Sequence, residues 1–132
     1  VGSVEFAAAR FRTRLVVVLG HSRCGAVLAP VADMPRPPAT PSGARRSVVD
    51  RVRPSVEALL ATELRHDPEA LVREAVRANI RVSANHLRHG SELLEQLIQD
   101  DGLLVVGAEY SLDTGVVDFF DGLPGVAGEG TR

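Results

Sequence analysis

Two short aliphatic runs, residues 15–19 (LVVVL) and 103–106 (LLVV), interrupt a chain that elsewhere mixes apolar and polar positions at helical spacing. Neither run alternates, and a short aliphatic stretch without alternation predicts a strand covered on both faces, as in the centre of a parallel α/β sheet. Ahead of the first run, residues 4–12 set apolar side chains among alanine and arginine at near-helical spacing and predict a helix. Gly20 to Arg23 then reads as the turn, and residues 24–31 as the start of the next helix.

Between the two runs the pattern is helical, with punctuation. "DMPRPPATPSG" carries prolines at 35, 37, 38 and 41, which no regular element tolerates, so residues 33–46 read as a proline-rich loop. A helix is predicted from about Ser47, where Ser47 and Asp50 have capping-box spacing. Asp67, Pro68 and Glu69 stand in N-cap, N1, N2 order and open another. That helix runs through "EALVREAVRANIRVSANHLR" to a break at Gly90, and Ser91 caps a short helix to about Gln99. Residues 102–110, "GLLVVGAEY", form the second strand. A turn at Asp113, Thr114 and Gly115 feeds a last strand, 116–120, placed to pair antiparallel with its predecessor.

Two buried aliphatic runs joined by helices require a right-handed crossover and therefore parallel neighbours. The fold class is α/β: a parallel sheet flanked by helices, with a C-terminal antiparallel strand. Residues 1–122 make one partial domain and the glycine-rich residues 123–132 a flexible tail. At 132 residues the chain is one domain long.

Composition removes several classes of function. A formal net charge of −2 offers no global attraction to nucleic acid or to an anionic membrane, and neither is expected as a partner. All 15 basic residues are arginine, which reflects codon bias rather than function. No apolar run approaches the roughly 18 residues of a membrane span, and no signal-like segment opens the chain. A single cysteine excludes an intrachain disulfide and allows a reducing, cytoplasmic location. The chain begins at Val1, which suggests a processed product or a fragment.

The candidate chemistry lies just behind the first strand, where "GHSRCGA" sets His21 three residues before Cys24. Ligand sites of α/β sheets sit at the carboxyl ends of their strands. Cys24, at a helix start, meets the positive end of the macrodipole and unpaired N–H groups, which suits a thiolate, the zinc-binding form. Zinc takes about four tetrahedral ligands from cysteine, histidine and carboxylate, and an H-x-x-C turn supplies two from one short segment. Gly25 and Ala26 leave room beside a metal and let the helix lie close to the sheet. Taken alone H-x-x-C is a weak signal, and a buried structural cysteine beside a backbone-bonded histidine is the commoner outcome.

The longer string raises it. "GSVEFAAARFRTRLVVVLGHSRCGAV" resembles the central segment of the β-class carbonic anhydrases, in which a helix precedes a strand ending in G-H-x-x-C-G-A. "LLVVGAEYSLDTGVVDFF" is similar to the family's closing strand, turn and strand, and the helical region between the two is of suitable character. The resemblance implies a zinc enzyme. Zinc held by two cysteines and one histidine lowers the pKa of a bound water toward neutrality, and the hydroxide attacks carbon dioxide to give bicarbonate. It makes His21 and Cys24 the metal ligands, Zn2+ the cofactor, carbon dioxide and bicarbonate the substrate pair, and a homodimer or higher oligomer the expected assembly.

Part of the family pattern is missing. The first zinc cysteine of the family lies in a C-x-D-S-R motif on an earlier strand, and the aspartate and arginine of that motif form a dyad that orients the zinc-bound water. Nothing before Val4 could hold it, Cys24 is the only cysteine, and the dyad has no counterpart here, so the catalytic residues are unassigned. The missing strand lies beside the one matched by residues 15–19, whose edge should then be open, and open apolar edges invite aggregation. A fragment explains both losses with one assumption, whereas a degenerate, non-catalytic scaffold or regulatory relative needs two.

Other features carry less. His66 precedes a helix cap and is expected in solvent. His86 and His89 could ligate a metal from one face, but a C-terminal turn favoured by the helix dipole accounts for them. Tyr110 is expected to pack on the sheet with a wet hydroxyl. In some β-class relatives the tyrosine at this turn is near a regulatory bicarbonate site whose other residues are not found here. "RRSVVDRVR" reads as a solvated helix surface. Gly20 and Gly25 have the G-x-x-x-x-G spacing of a phosphate loop, but Ala26 and Val27 replace its lysine and hydroxyl residue.

Overall fold

A computed structural model describes residues 1–25, 27 and 43–124, those at 43–49 by backbone alone. In chain order the elements are α1 (Gly2–Phe11), β1 (Leu15–His21), α2 (Gly43–Leu60), a 3₁₀ turn (Glu63–His66), α3 (Pro68–His89), α4 (Glu92–Asp100), β2 (Leu104–Tyr110) and β3 (Val117–Asp121). The three strands form one sheet in the order β1-β2-β3. Leu104 N donates to Arg14 O at 2.9 Å, joining the starting ends of β1 and β2, so these neighbours run parallel. β3 pairs antiparallel with β2, Tyr110 opposite Val117 and Ala108 opposite Phe119, with a register shift between Gly107 and Ala108. The sheet is mixed and the class α/β, as the pattern predicts.

Local signals place most element ends. Asp67 Oδ1 accepts from Ala70 N at 3.2 Å, with Pro68 at the first helical position of α3. Gly90 follows His89, the last residue of α3, and Ser91 caps α4 by accepting from Leu94 N at 3.2 Å. Arg12, in the left-handed region (φ 57°), stops α1 and turns the chain into β1. Gly102 (φ 74°) does the same between α4 and β2.

Contacts divide the chain into two compact units, Val1–Gly20 with the chain from Ile80 onward, and His21–Asn79. In the first, Ala8, Leu94 and Leu103 are buried together, and Val4, Val16, Leu87, Leu97 and Ile98 pack against them. Helices α1 and α4 thereby cover the face of the sheet that carries Val16. In the second, Val52, Val56, Leu71, Ala75 and Val76 are buried.

Several expectations need correction. α2 begins at Gly43, so Ser47 lies inside the helix and does not cap it. β1 continues through Gly20 and His21, which the pattern assigns to a turn, because strand pairing is made by main-chain groups and outlasts the apolar run. β1 is also not covered on both faces. Leu15, Val17 and Leu19 are 54, 39 and 57% exposed, whereas Val105, Val106 and Ala108 of β2 are buried. An unbroken aliphatic run supplies two apolar faces, but whether both are covered depends on what packs there. The proline-rich segment 33–42, the helix at 28–31 and the tail from 125 fall outside the described residues. Among the described residues no helix is long and apolar enough to cross a membrane.

Candidate metal centre

His21 is the last residue of β1 and is exposed; Ser22 and Arg23 turn the chain, and Cys24 follows as a half-buried free thiol. Gly25 and Val27 are helical, and Val27 N donates to Cys24 O at 3.0 Å, so Cys24 stands at the opening of a helix. Val27 is buried and anchors this turn. Arg23 adopts φ 54°, a left-handed conformation that costs a non-glycine residue about 1–2 kcal/mol. The strand end thus carries the histidine, the helix start the cysteine, and a two-residue turn joins them.

His21 Nδ1 lies 2.9 Å from Ser22 O. A carbonyl oxygen only accepts, so Nδ1 carries the proton in this bond, and in the neutral ring Nε2 keeps its lone pair. Metal-binding histidines commonly donate their second nitrogen to a backbone carbonyl in this way, which fixes tautomer and ring orientation. Imidazole nitrogen and cysteine sulfur are both donor types that zinc accepts. A main-chain carbonyl has no sequence signature, and the pattern of residue types could not reveal this partner. A Cβ at Gly25 would meet nothing within 4 Å, so this glycine leaves open space and is not required for close packing. The Ala26 side chain lies outside the described residues.

Among the described residues no group of three or more histidine, cysteine and carboxylate side chains could hold a metal ion. His86 and His89 are exposed in the last turn of α3, where His89 Nδ1 lies 3.5 Å from Glu95 Oε1. His66 is exposed beside Arg65 and Glu63. Tyr110 is exposed at the end of β2, ahead of a turn closed by Gly115 N to Ser111 O at 2.8 Å. An arginine–aspartate pair does occur, Arg88 with Asp121, but its further bonds run to Val105 O and Asn85 and tie α3 to the sheet.

A family profile described as carbonic anhydrase matches residues 1–117. Carbonic anhydrase 2 of Mycobacterium tuberculosis is 36% identical over 115 residues, covering 87% of this chain and 53% of that protein. A carbonic anhydrase of Mycolicibacterium smegmatis is 32% identical over 118 residues, 89% of this chain and 54% of that one. Among solved structures, the β-carbonic anhydrase CafA of Aspergillus fumigatus superposes with a TM-score of 0.78 at 23% identity, covering 99% of this chain and 60% of that one. A tetrameric β-carbonic anhydrase from Sordaria macrospora gives 0.74 at 20%, covering 89% and 57%. The chain belongs to the carbonic anhydrase family, and its fold is that of the β class. It spans about half the length of the curated relatives it matches.

Proposed function

We propose that the whole protein is a zinc-dependent β-class carbonic anhydrase that interconverts carbon dioxide and bicarbonate. The observation that carries this reading is the placement of His21 and Cys24 at a strand end and the following helix start, in a chain that belongs to the family. His21 Nε2 and Cys24 Sγ would hold the metal. The remaining protein ligand and the aspartate–arginine dyad are expected from residues outside these 132, because the chain has one cysteine. Zinc, when bound, supplies the Lewis acidity that makes water a nucleophile near neutral pH. The chain's own part is to present the two donors: the Ser22 carbonyl holds the imidazole proton at Nδ1, and the helix start holds the cysteine backbone.

Two further points belong to the same reading. The protein works as a homodimer or higher oligomer, supported by the tetrameric relative of the same fold. A cytoplasmic site of action fits the same reading, since zinc-binding cysteines must stay reduced.

The test is stopped-flow carbon dioxide hydration with metal analysis, on this chain and on a longer protein that includes a C-x-D-S-R segment. A complete structural zinc site contributes roughly 10–16 kcal/mol of apparent binding free energy in small peptides, and two ligands of the usual three keep only part of that. The short chain is expected to hold zinc substoichiometrically and to turn over negligibly, and the longer protein to do both well. Stoichiometric zinc and robust turnover from the short chain would overturn the two-donor reading and implicate His86, His89 or a carboxylate. A longer protein without zinc or turnover would establish a non-catalytic scaffold.

A further inference from the structure

We draw no further inference here: the strongest candidate, the exposed apolar face of strand β1 formed by Leu15, Val17 and Leu19, carries none because nothing in the structure shows what covers it.

Discussion

Arg88 and Asp121, 33 positions apart, meet at 3.0 Å with their side chains 18 and 13% exposed. The same guanidinium donates to Val105 O from Nε at 3.2 Å and from Nη2 at 2.6 Å. One α3 side chain therefore grips both β2 and the end of β3, beside the register shift at Gly107. Arg81, two turns earlier on the same face of α3, lies 5.0 Å from the ring centroid of Phe120 and adds a cation–π contact to the same strand.

Replacing Arg88 by methionine removes three donors and leaves a mostly buried carboxylate and a buried carbonyl unpaired. A loss of about 2–3 kcal/mol is expected in denaturant unfolding. Asp121→Asn keeps an acceptor and is expected to cost about 1 kcal/mol. Equal losses from the two variants would show that the ion pair alone, and not the bonds to Val105 O, ties α3 to the sheet.

Ser91 is buried, accepts from Leu94 N as the cap of α4, and donates to Glu5 Oε2 on α1 at 2.6 Å. Ser91→Ala removes the cap and the bridge together, and about 1–2 kcal/mol of stability should go with them. Glu5→Gln preserves an acceptor and should cost less than half of that. Thermal melts of the two single variants and the double variant measure the coupling.

Gly107 sits where a Cβ would lie 2.8 Å from Ile80 Cγ2 and 3.1 Å from Asp121 Cβ. Gly107→Ala forces helix and strand apart and is expected to destabilise by about 1–3 kcal/mol. Ile80→Ala creates space at the same point, so the double variant should lose at least about 1 kcal/mol less than the sum of the singles. Strict additivity would mean that the glycine is not set by the approach of α3.

In the longer, zinc-loaded protein, His21→Ala and Cys24→Ser each remove one of the two proposed donors. Since even losses behind the ligands typically cost about 10–100-fold in metal affinity or activity, each substitution should lower zinc affinity by more than about 100-fold. His86→Ala and His89→Ala should leave zinc content unchanged. Metal analysis after dialysis against a chelator separates the two groups.

The exposed β1 strip should make the 132-residue chain associate as its concentration rises, since unpaired aliphatic strands at a sheet edge template contacts. Leu15→Lys with Leu19→Lys is expected to reduce that association in sedimentation velocity with little change in melting temperature, because both side chains already face solvent. Undiminished association would place the sticky surface elsewhere, with the exposed Phe6 and Phe11 pair on α1 the next place to substitute.

The sequence by itself determined what is encoded within a few residues. Asp67 with Pro68, and Ser91, bond within three positions of themselves, so their caps were legible without any fold. The turn through Asp113, Thr114 and Gly115 made the antiparallel β2–β3 pair legible for the same reason, and "GHSRCGA" behind an aliphatic run marked the strand end and helix start that carry His21 and Cys24. Tertiary structure alone decided what depends on distant neighbours. Residues 15–19 and 103–106 are nearly alike in composition, yet β2 is buried and β1 keeps one face in solvent, because burial follows from what packs on a strand. The Ser91–Glu5 and Arg88–Asp121 bonds span 86 and 33 positions and join residues that have no pattern in common. His21 took its place in the strand through main-chain pairing that has no residue-type signature, and its Nδ1 found its partner in the carbonyl of Ser22, which has none either.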